Sequence, residues 1–408
     1  MQSLKEFYKQ GNGPSSSHTM GPKKAAEMFK KEYKDADFFE VILYGSLAAT
    51  GKGHLTDSII EQTLKPIKVN IIFDKKTKCD VHPNTMVFVA YKQDREIGRW
   101  MVYSIGGGTI KIDGREDEEP KEVYYLNTFS EISEYCEKNN KKIYDYVYET
   151  EGENIKEFLA DIWKAMKASI NYGLEAEGTI PGKLNLKKRA KSIYSNINNN
   201  ETEEIKRTRL LTAYAYAVSE TNASGGEIVT APTCGSCGVL PSALYYLQAS
   251  NNYTDEEIIN ALATAGIIGN IVKTNASISG AECGCQAEIG TACSMAAAAA
   301  SQLKKLDIYK IEHAAEIAME HHMGLTCDPI YGYVQIPCIE RNAVAAIRAI
   351  DASNISMLLD ETQKISFDLI VDTMYETGKD LRSHYREKSK GGLAKKYCRN
   401  KYYNADRQ

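Results

Sequence analysis

Near residue 150 the sequence changes from short strand-like runs to long helical stretches, and this change indicates a two-part fold. Short β-branched or aromatic runs, typical of strands, occur before it at 41–44, 69–73, 86–91, 100–105 and 109–112. A helical stretch covers 19–33. Beyond the change, the pattern predicts helices over 154–175, 203–220, 239–249, 255–272, 291–305, 310–323, 341–352 and 365–376. We therefore predict an α+β protein, with a mixed α/β N-terminal domain over 1–150 and a mostly α-helical C-terminal domain over 151–408.

The charge and apolar content of the chain exclude several classes of protein. Fifty basic and 54 acidic side chains give a formal net charge of −4, so no basic excess exists to bind nucleic acid or a membrane surface. No apolar run reaches the roughly 18 residues of a spanning helix, and residues 1–13 lack the apolar core of a signal peptide. We therefore expect a cytoplasmic protein. In that compartment its ten cysteines indicate metal binding or catalysis rather than disulfides.

A first candidate site is the segment GNGPSSSHTMGP over 11–22, where Gly and Pro shape a loop ahead of a helix. Ser and Thr hydroxyls cap such helices, and free backbone N–H groups at a helix start bind carboxylates or phosphates. His18 is then available as a proton carrier. The alternative is a simple helix cap that carries an exposed histidine.

A second candidate site is YGSLAATGKGHLTD over 44–57, which follows a predicted strand. It is not a Walker A phosphate loop, because Lys52 is followed by Gly53 and not by Ser or Thr. The segment is either a plain strand–helix turn or a loop that brings Lys52 and His54 to a pocket shared with His18.

The cysteines form a third candidate site, because seven of the ten lie between residues 234 and 338. Cys285, Cys327 and Cys338 are too widely spaced for a zinc finger, and Cys234 with Cys237 supplies one CxxC pair without a second. Three separate thiolates suit an iron–sulfur cluster that keeps one iron free of protein sulfur. A zinc site and buried structural cysteines are the alternatives.

Two further segments combine small residues with helical patterns. Residues 223–233 and 275–282 are rich in small polar side chains, so that Asn275, Ser277 and Ser279 either line a pocket for a small polar substrate or cap helices. Five consecutive alanines within 295–300 predict a central helix that packs tightly against its neighbours.

Taken together, these motifs resemble the iron–sulfur-dependent L-serine dehydratases over nearly the whole length of the chain. The segments that carry the resemblance are GPSSSHTMGP, YGSLAATGKGH, LEAEGTIPGKL, ASGGEIVTAPT, SISGAECGCQAEIGTACSMAAA, GLTCDPIYGYVQIPCIERNA and MYETGKDL. The resemblance implies a β-type domain over 1–150 fused to an α-type domain over 151–408, with little room for a separate regulatory domain.

The resemblance also implies a cofactor and a set of site residues. The cofactor is a [4Fe-4S] cluster, with Cys285, Cys327 and Cys338 as its ligands. The histidines that bind or deprotonate substrate fall on His18 and His54. Further residues are implied around them: Ser15, Ser16, Ser17 and Thr19 hold the substrate carboxylate, and Lys52 balances its charge. Cysteines beyond the expected pattern leave the ligand set open, namely Cys234, Cys237, Cys283, Cys293 and Cys398.

The implied activity is an L-serine ammonia-lyase that forms pyruvate and ammonia by elimination of water at an open iron. The base is His18 or His54, since an imidazole titrates near neutral pH. An L-cysteine desulfidase and a non-enzymatic zinc- or amino-acid-binding protein are the alternatives. We expect a homodimer, the commonest oligomer, and sensitivity to oxygen.

Overall fold

A computed structural model describes residues 1–77, 79, 81–116, 120–152, 154–198, 200–360, 363–387 and 391–399. The chain divides into two compact units. The sheet unit comprises Gly11–Glu119 and Ser224–Gly226, and the helical unit comprises Met1–Gln10, Pro120–Ala223 and Glu227–Gln408. By their contacts, residues 120–150 therefore belong to the helical unit. The boundary at residue 150 between the β-type and the α-type domain stays a prediction. Within the described residues, no helix has the length and apolar character needed to cross a bilayer.

Within the described residues, the sheet unit and the strand that leads into it contain six strands and three α-helices. In chain order these are β1 Gln10–Asn12, α1 Gly21–Glu32, β2 Phe38–Leu43, α2 Gly45–Thr50, α3 Thr56–Leu64, β3 Lys68–Phe73, β4 Thr85–Lys92, β5 Arg95–Gly106 and β6 Thr109–Ile112. Five strands form one sheet in the order β3-β2-β4-β5-β6. Strands β2 and β3 run parallel, and the other neighbours are antiparallel. All five strands predicted from the sequence are confirmed.

Alternation along the strands explains how this sheet builds its core. In β2, Phe39, Val41 and Leu43 are fully buried, while the residues between them are half-buried. Side chains on one face of a strand recur every second residue, so this face collects the apolar residues. They pack in one cluster with Phe29 of α1 and Ile60 of α3, which places both helices on the same face of the sheet.

The helical unit contains thirteen helices of the α type and the short strand β7. They are α4 Phe129–Lys138, α5 Ile143–Glu151, α6 Asn154–Glu175, α7 Ala190–Ser195, α8 Glu203–Ala223, β7 Glu227–Val229, α9 Val239–Asn251, α10 Asp255–Asn275, α11 Gly280–Cys283, α12 Thr291–Leu303, α13 Ile308–Glu320, α14 Cys338–Leu358, α15 Phe367–Asp380 and α16 Gly392–Arg399. These counts refer to the described residues. The eight predicted helices and the α+β class are confirmed.

Helix α12 carries the five alanines and lies at the centre of this unit. It packs against α9, α10, α13 and α14, and its residues 296–300 are at most 1% exposed. Alanine has the highest helix propensity, and its single methyl group lets neighbouring helices approach closely. The predicted central, tightly packed helix is therefore confirmed.

Two local differences from the sequence pattern have physical causes. The predicted helix over 19–33 begins at Gly21, because Ser16–Met20 forms a π-helical turn in front of it. Helix α5 was not predicted, since its sequence IYDYVYETE is rich in strand-forming residues. Ile143, Tyr146 and Val147 have helical spacing, and their burial overrides that local preference.

Candidate active site

The two histidines predicted from separate motifs lie side by side in the sheet unit. The ring centroids of His18 and His54 are 4.6 Å apart, and the rings are 8% and 7% exposed. Two reciprocal hydrogen bonds join the segments: the Thr19 hydroxyl donates to the His54 carbonyl at 2.8 Å, and the Thr56 hydroxyl donates to the His18 carbonyl at 2.6 Å. We call this arrangement the histidine pair. It shows that the two loops meet, which the sequence pattern left open.

The serines before His18 shape the turn that holds it. The Ser15 hydroxyl accepts the backbone N–H of His18 at 3.2 Å, and the Ser15 carbonyl accepts the N–H of Thr19 at 2.9 Å. Ser15 thus acts as an N-cap of the π-helical turn. Ser16 is half-buried, and its hydroxyl has no hydrogen-bond partner among the described residues. Among the serines of this turn, Ser16 is therefore the one with a hydroxyl left for a ligand.

Both ring nitrogens of His18 are in contact with hydroxyl groups. Ser17 Oγ lies 2.9 Å from Nδ1, and Ser46 Oγ lies 3.0 Å from Nε2. The pKa of His18 is lowered to about 3, first by burial and then by the nearby His54, while a hydrogen bond with Ser46 opposes the shift. A neutral imidazole has one N–H and one lone pair, so one serine accepts from the ring while the other donates to it.

His54 differs, because among the described residues only one of its ring nitrogens has a hydrogen-bond partner. Nδ1 lies 3.1 Å from the carbonyl oxygen of Thr50. A carbonyl only accepts, so the neutral ring carries its proton on Nδ1 and its lone pair on Nε2. Burial lowers the pKa of His54, although the Thr50 hydrogen bond opposes this. The ring can thus take up a proton at one defined atom.

Lys52 lies on the same short segment, but its side chain is exposed. Its ammonium group stands 5.3 Å from the centre of the Phe73 ring, within the range of a cation–π contact. No hydrogen bond joins it to His18 or His54 within the described part of the chain.

The three predicted cluster cysteines come together in the helical unit. Cys285 precedes the π-helical turn Gln286–Gly290, Cys327 follows α13, and Cys338 begins α14. Cys285 and Cys327 are 4% and 5% exposed, and Cys338 is half-buried. The neighbouring Cys327 thiol lowers the pKa of Cys285, burial and Glu288 oppose this shift, and the nearby Arg341 lowers the pKa further. We call Cys285, Cys327 and Cys338 the thiol group.

The same contacts raise the pKa values of the other two thiols. The neighbouring Cys285, followed by burial, raises the pKa of Cys327 well above its usual value. Burial, followed by the proximity of Cys285 and Glu288, raises that of Cys338. Of the three thiols, that of Cys285 is therefore the most acidic.

The chemistry of these donors fits a polynuclear iron–sulfur group. No three His, Cys, Asp or Glu side chains within the described ranges are arranged to hold one metal ion. Cys285 nevertheless neighbours both Cys327 and Cys338, which come from separate segments. Ligands on different irons of a cluster need not converge on one point, and thiolates are the usual ligands of such clusters.

Residues that sequence reasoning did not single out surround the thiol group. Glu288 Oε1 accepts from the Thr233 hydroxyl at 2.7 Å, and Oε2 lies 3.9 Å from Cys327 Sγ. A Cβ on Gly280 would stand 2.5 Å from Glu288 Oε2 and 3.0 Å from Cys327 Sγ. Only glycine therefore fits there. The motif SISGAECGCQAE contains Gly280 and Glu288, so this resemblance was the available signal.

The predicted polar residues before α11 are bonded within the protein. The Ser277 hydroxyl donates to Glu282 Oε2 at 2.7 Å and accepts the Ser279 N–H at 3.1 Å. Asn275 is exposed, and its side-chain amide donates to the Asn127 carbonyl at 2.6 Å. These contacts hold the loop that leads to Cys285.

The remaining cysteines of the helical segment are buried, except for Cys398, which is exposed. The Cys293 thiol donates to the Ala345 carbonyl at 3.3 Å, which accounts for it as a packing residue. Burial, and then the proximity of Cys234 and Cys338, raises the pKa of Cys237 well above its usual value, so Cys237 lies near the thiol group.

A sheet unit with paired imidazoles and a helical unit with neighbouring thiols define a two-part α+β protein, in which these groups are the candidates for proton transfer and for metal–sulfur binding. Comparison with known proteins places it further. The family model "Serine dehydratase alpha chain" matches residues 93–394, and "Serine dehydratase beta chain" matches residues 3–68 and 59–115. The chain belongs to the serine dehydratase family and carries both parts on one polypeptide. The resemblance drawn from its motifs is confirmed.

Curated relatives match along almost the whole chain. It is 38% identical to an L-serine dehydratase of Haemophilus influenzae, with 97% of this chain and 99% of the relative covered. It is 37% identical to L-serine dehydratase 2 of Escherichia coli strain K12 at the same coverage. An L-serine dehydratase of Helicobacter pylori strain 26695 is 36% identical, over 96% of this chain and 98% of the relative.

Proposed function

We propose that the chain is an L-serine ammonia-lyase, which converts L-serine to pyruvate and ammonia. The observation that carries this proposal is the histidine pair, in which His54 Nε2 offers a lone pair at a buried position. Removal of the α-proton and of the β-hydroxide from L-serine amounts to loss of water and leaves aminoacrylate. Its imine tautomer takes up water and releases ammonia, so that the atoms balance.

His54 is the proposed base. Its Nδ1–H donates to the Thr50 carbonyl, so Nε2 accepts the α-proton and the resulting imidazolium keeps a stabilising acceptor. Burial lowers its pKa and leaves the ring unprotonated at neutral pH before substrate binds. His18 does not offer a free nitrogen, because Ser17 and Ser46 contact both of its ring nitrogens. We therefore assign His18 to the orientation of the substrate for proton transfer.

The hydroxyl-rich turn is the proposed site for the substrate carboxylate. Ser16 has a hydroxyl without a protein partner, while Ser15, Ser17 and Thr19 hold the turn in shape. Lys52 contributes a positive charge from the same unit. For Asn275, Ser277 and Ser279, a direct contact with substrate stays a prediction, and their hydrogen bonds support a role in holding the loop before Cys285.

We propose that Cys285, Cys327 and Cys338 hold a [4Fe-4S] cluster. When bound, such a cluster supplies a Lewis-acidic iron for the substrate hydroxyl and carboxylate. The proximity of Arg341 to Cys285 supports this assignment, since a guanidinium favours the thiolate form that metal binding requires. Gly280 leaves room beside Cys327 where any larger residue would collide with it.

The test is an assay on protein purified without oxygen. Pyruvate release from L-serine is measured before and after exposure to air, and sulfide release from L-cysteine is measured in parallel. We expect activity with L-serine that falls in air and returns with iron, sulfide and reductant. Air-stable activity would contradict the cluster, and turnover of L-cysteine alone would change the substrate. A colourless protein that contains zinc and forms no pyruvate would overturn the proposal.

The predicted homodimer and the cytoplasmic location stay predictions. Size-exclusion chromatography with light scattering measures the mass of the assembly, with 45.4 kDa as the value for one chain.

A further inference from the structure

Gln286 directly follows Cys285, and its side-chain amide is fully buried. Its Nε2 donates to the Met374 carbonyl at 2.6 Å and to the Thr377 hydroxyl at 3.1 Å. Its Oε1 accepts the Gly324 N–H at 2.7 Å. Both amide protons are therefore used, and the orientation of the amide is determined by its partners.

These bonds connect three separate parts of the helical unit. Gly324 lies three residues before Cys327, whereas Met374 and Thr377 belong to α15. A backbone bond strengthens the first connection, because the Gln286 N–H donates to the Leu325 carbonyl at 3.2 Å. One side chain thus links the segment of Cys285 to the segment of Cys327 and holds both against α15.

Two glycines show how closely these segments approach one another. A Cβ on Gly284 would stand 2.8 Å from the Leu325 carbonyl oxygen, and Gly284 has a φ of +75° that side chains rarely adopt. A Cβ on Gly378 would stand 2.5 Å from the Cβ of Cys283. Since both close approaches exclude even a methyl group, the segments around the amide of Gln286 are tightly packed.

We propose that Gln286 is a positioning residue that sets the separation of Cys285 and Cys327 for the cluster. This inference rests on the cofactor named under the proposed function. Without the amide, the Gly324 N–H loses its acceptor and the Met374 carbonyl loses one of its donors, so the segments that the amide joins can move relative to one another. Because Gly324 and Met374 each lie close in sequence or space to a cysteine segment, that movement changes the thiol spacing.

The test compares two variants that each remove a buried amide. Gln286→Met keeps the length of the side chain and removes its three hydrogen bonds. The control is Asn270→Leu, since Asn270 is 1% exposed and its amide donates to the Gln2 carbonyl at 2.7 Å. Both proteins are purified without oxygen, and their melting temperature, iron content, electron paramagnetic resonance spectrum and resistance to a chelator are measured.

We expect both variants to melt at lower temperature than the wild type. Only Gln286→Met should show an altered resonance spectrum. It should also lose iron to a chelator about 10- to 100-fold more readily, because the loss of a group that orients metal ligands typically weakens metal affinity by that factor. A Gln286→Met protein with the spectrum and chelator resistance of the wild type would overturn the proposal, because a purely structural role lowers only the melting temperature.

A milder variant keeps the test decisive if Gln286→Met does not fold. Thr377→Val removes one acceptor of the amide. The other contacts of the Thr377 hydroxyl are with the Thr373 and Met374 carbonyls of its own helix, at 2.8 and 3.3 Å, and with Met323 Sδ at 3.7 Å. We expect a smaller change of the spectrum in the same direction, and an unchanged spectrum would contradict the proposal. A wild-type chain that binds no iron would instead contradict the proposed cofactor, and the positioning role with it.

Discussion

The Nδ1 atom of His54 lies 3.1 Å from the carbonyl oxygen of Thr50, and this contact determines which nitrogen of the ring is basic. Thr50 stands one helical turn before His54 in sequence. The Thr19 hydroxyl holds the His54 carbonyl from the other side of the loop. A backbone carbonyl therefore fixes the tautomer of the proposed base, and this does not depend on a carboxylate partner.

Replacement of His54 by alanine should abolish most turnover without loss of the cluster. A general base contributes about 100- to 10,000-fold to a rate, so we expect a fall of kcat in that range with the iron content of the wild type. His82→Ala is the matched control, because His82 is a half-buried histidine of the same unit that accepts the Asn84 N–H. Equal kcat in the His54→Ala variant and the wild type would exclude His54 as the base.

The buried His18 should make the fold less stable in acid. Its pKa is about 3 in the folded chain and near 6.5 when exposed, so below pH 6.5 the unfolded chain binds more protons. The contribution is complete above about pH 6.5 and is lost as pH falls toward 3. In urea denaturation at pH 7.5 and 5, His18→Gln should therefore lose less stability on acidification than the wild type. An identical loss of stability in both proteins would show that His18 is not buried as a neutral imidazole.

Replacement of Ser46 by alanine should lower kcat and leave KM nearly unchanged. The Ser46 hydroxyl contacts His18 Nε2, and one hydrogen bond contributes about 0.5–1.5 kcal/mol, which corresponds to roughly a two- to tenfold change. Ser17→Ala acts on the opposite nitrogen and serves for comparison. A rise of KM alone in the Ser46→Ala variant would mean that Ser46 binds the substrate and does not orient His18.

Replacement of Cys327 by alanine should prevent cluster assembly, because two thiolates remain of the proposed three. We expect loss of iron and of the brown absorbance together with loss of pyruvate formation. Cys136→Ala is a suitable control, since Cys136 is a buried cysteine of α4 whose thiol contacts the Lys142 carbonyl. Full iron and activity in the Cys327→Ala protein would remove Cys327 from the ligand set.

Much of the fold follows from local patterns. The strands β2 to β6 and the long helices appear in the sequence because their apolar residues recur with periods of two and of about 3.6. Helix α5 does not, since Tyr146 and Val147 belong to a segment that favours strands until its apolar face is buried. The short helix α2 consists of small residues that show no clear period, and α3 follows it after a 3₁₀ turn, so the sequence analysis assigns neither of them.

The candidate site was predictable as a set of residue types, and its arrangement was not. His18, His54 and the three cysteines were found from their motifs, whereas Ser46 and Gln286 lay unnoticed inside those same motifs. Ser46 stands 28 residues from its partner His18, and Gln286 stands 38 residues from Gly324. Pairings at such separations leave no periodic trace in the sequence.

The sequence by itself determined the α+β class, the long helices and the chemical types at the site, because each depends on neighbouring residues or on a motif. The tertiary structure alone decided that His18 and His54 meet, and that hydroxyls occupy both nitrogens of His18. It also decided that Gln286 ties two cysteine segments to α15. The physical reason is burial: partners for a desolvated polar group are supplied by whichever distant segments pack around it.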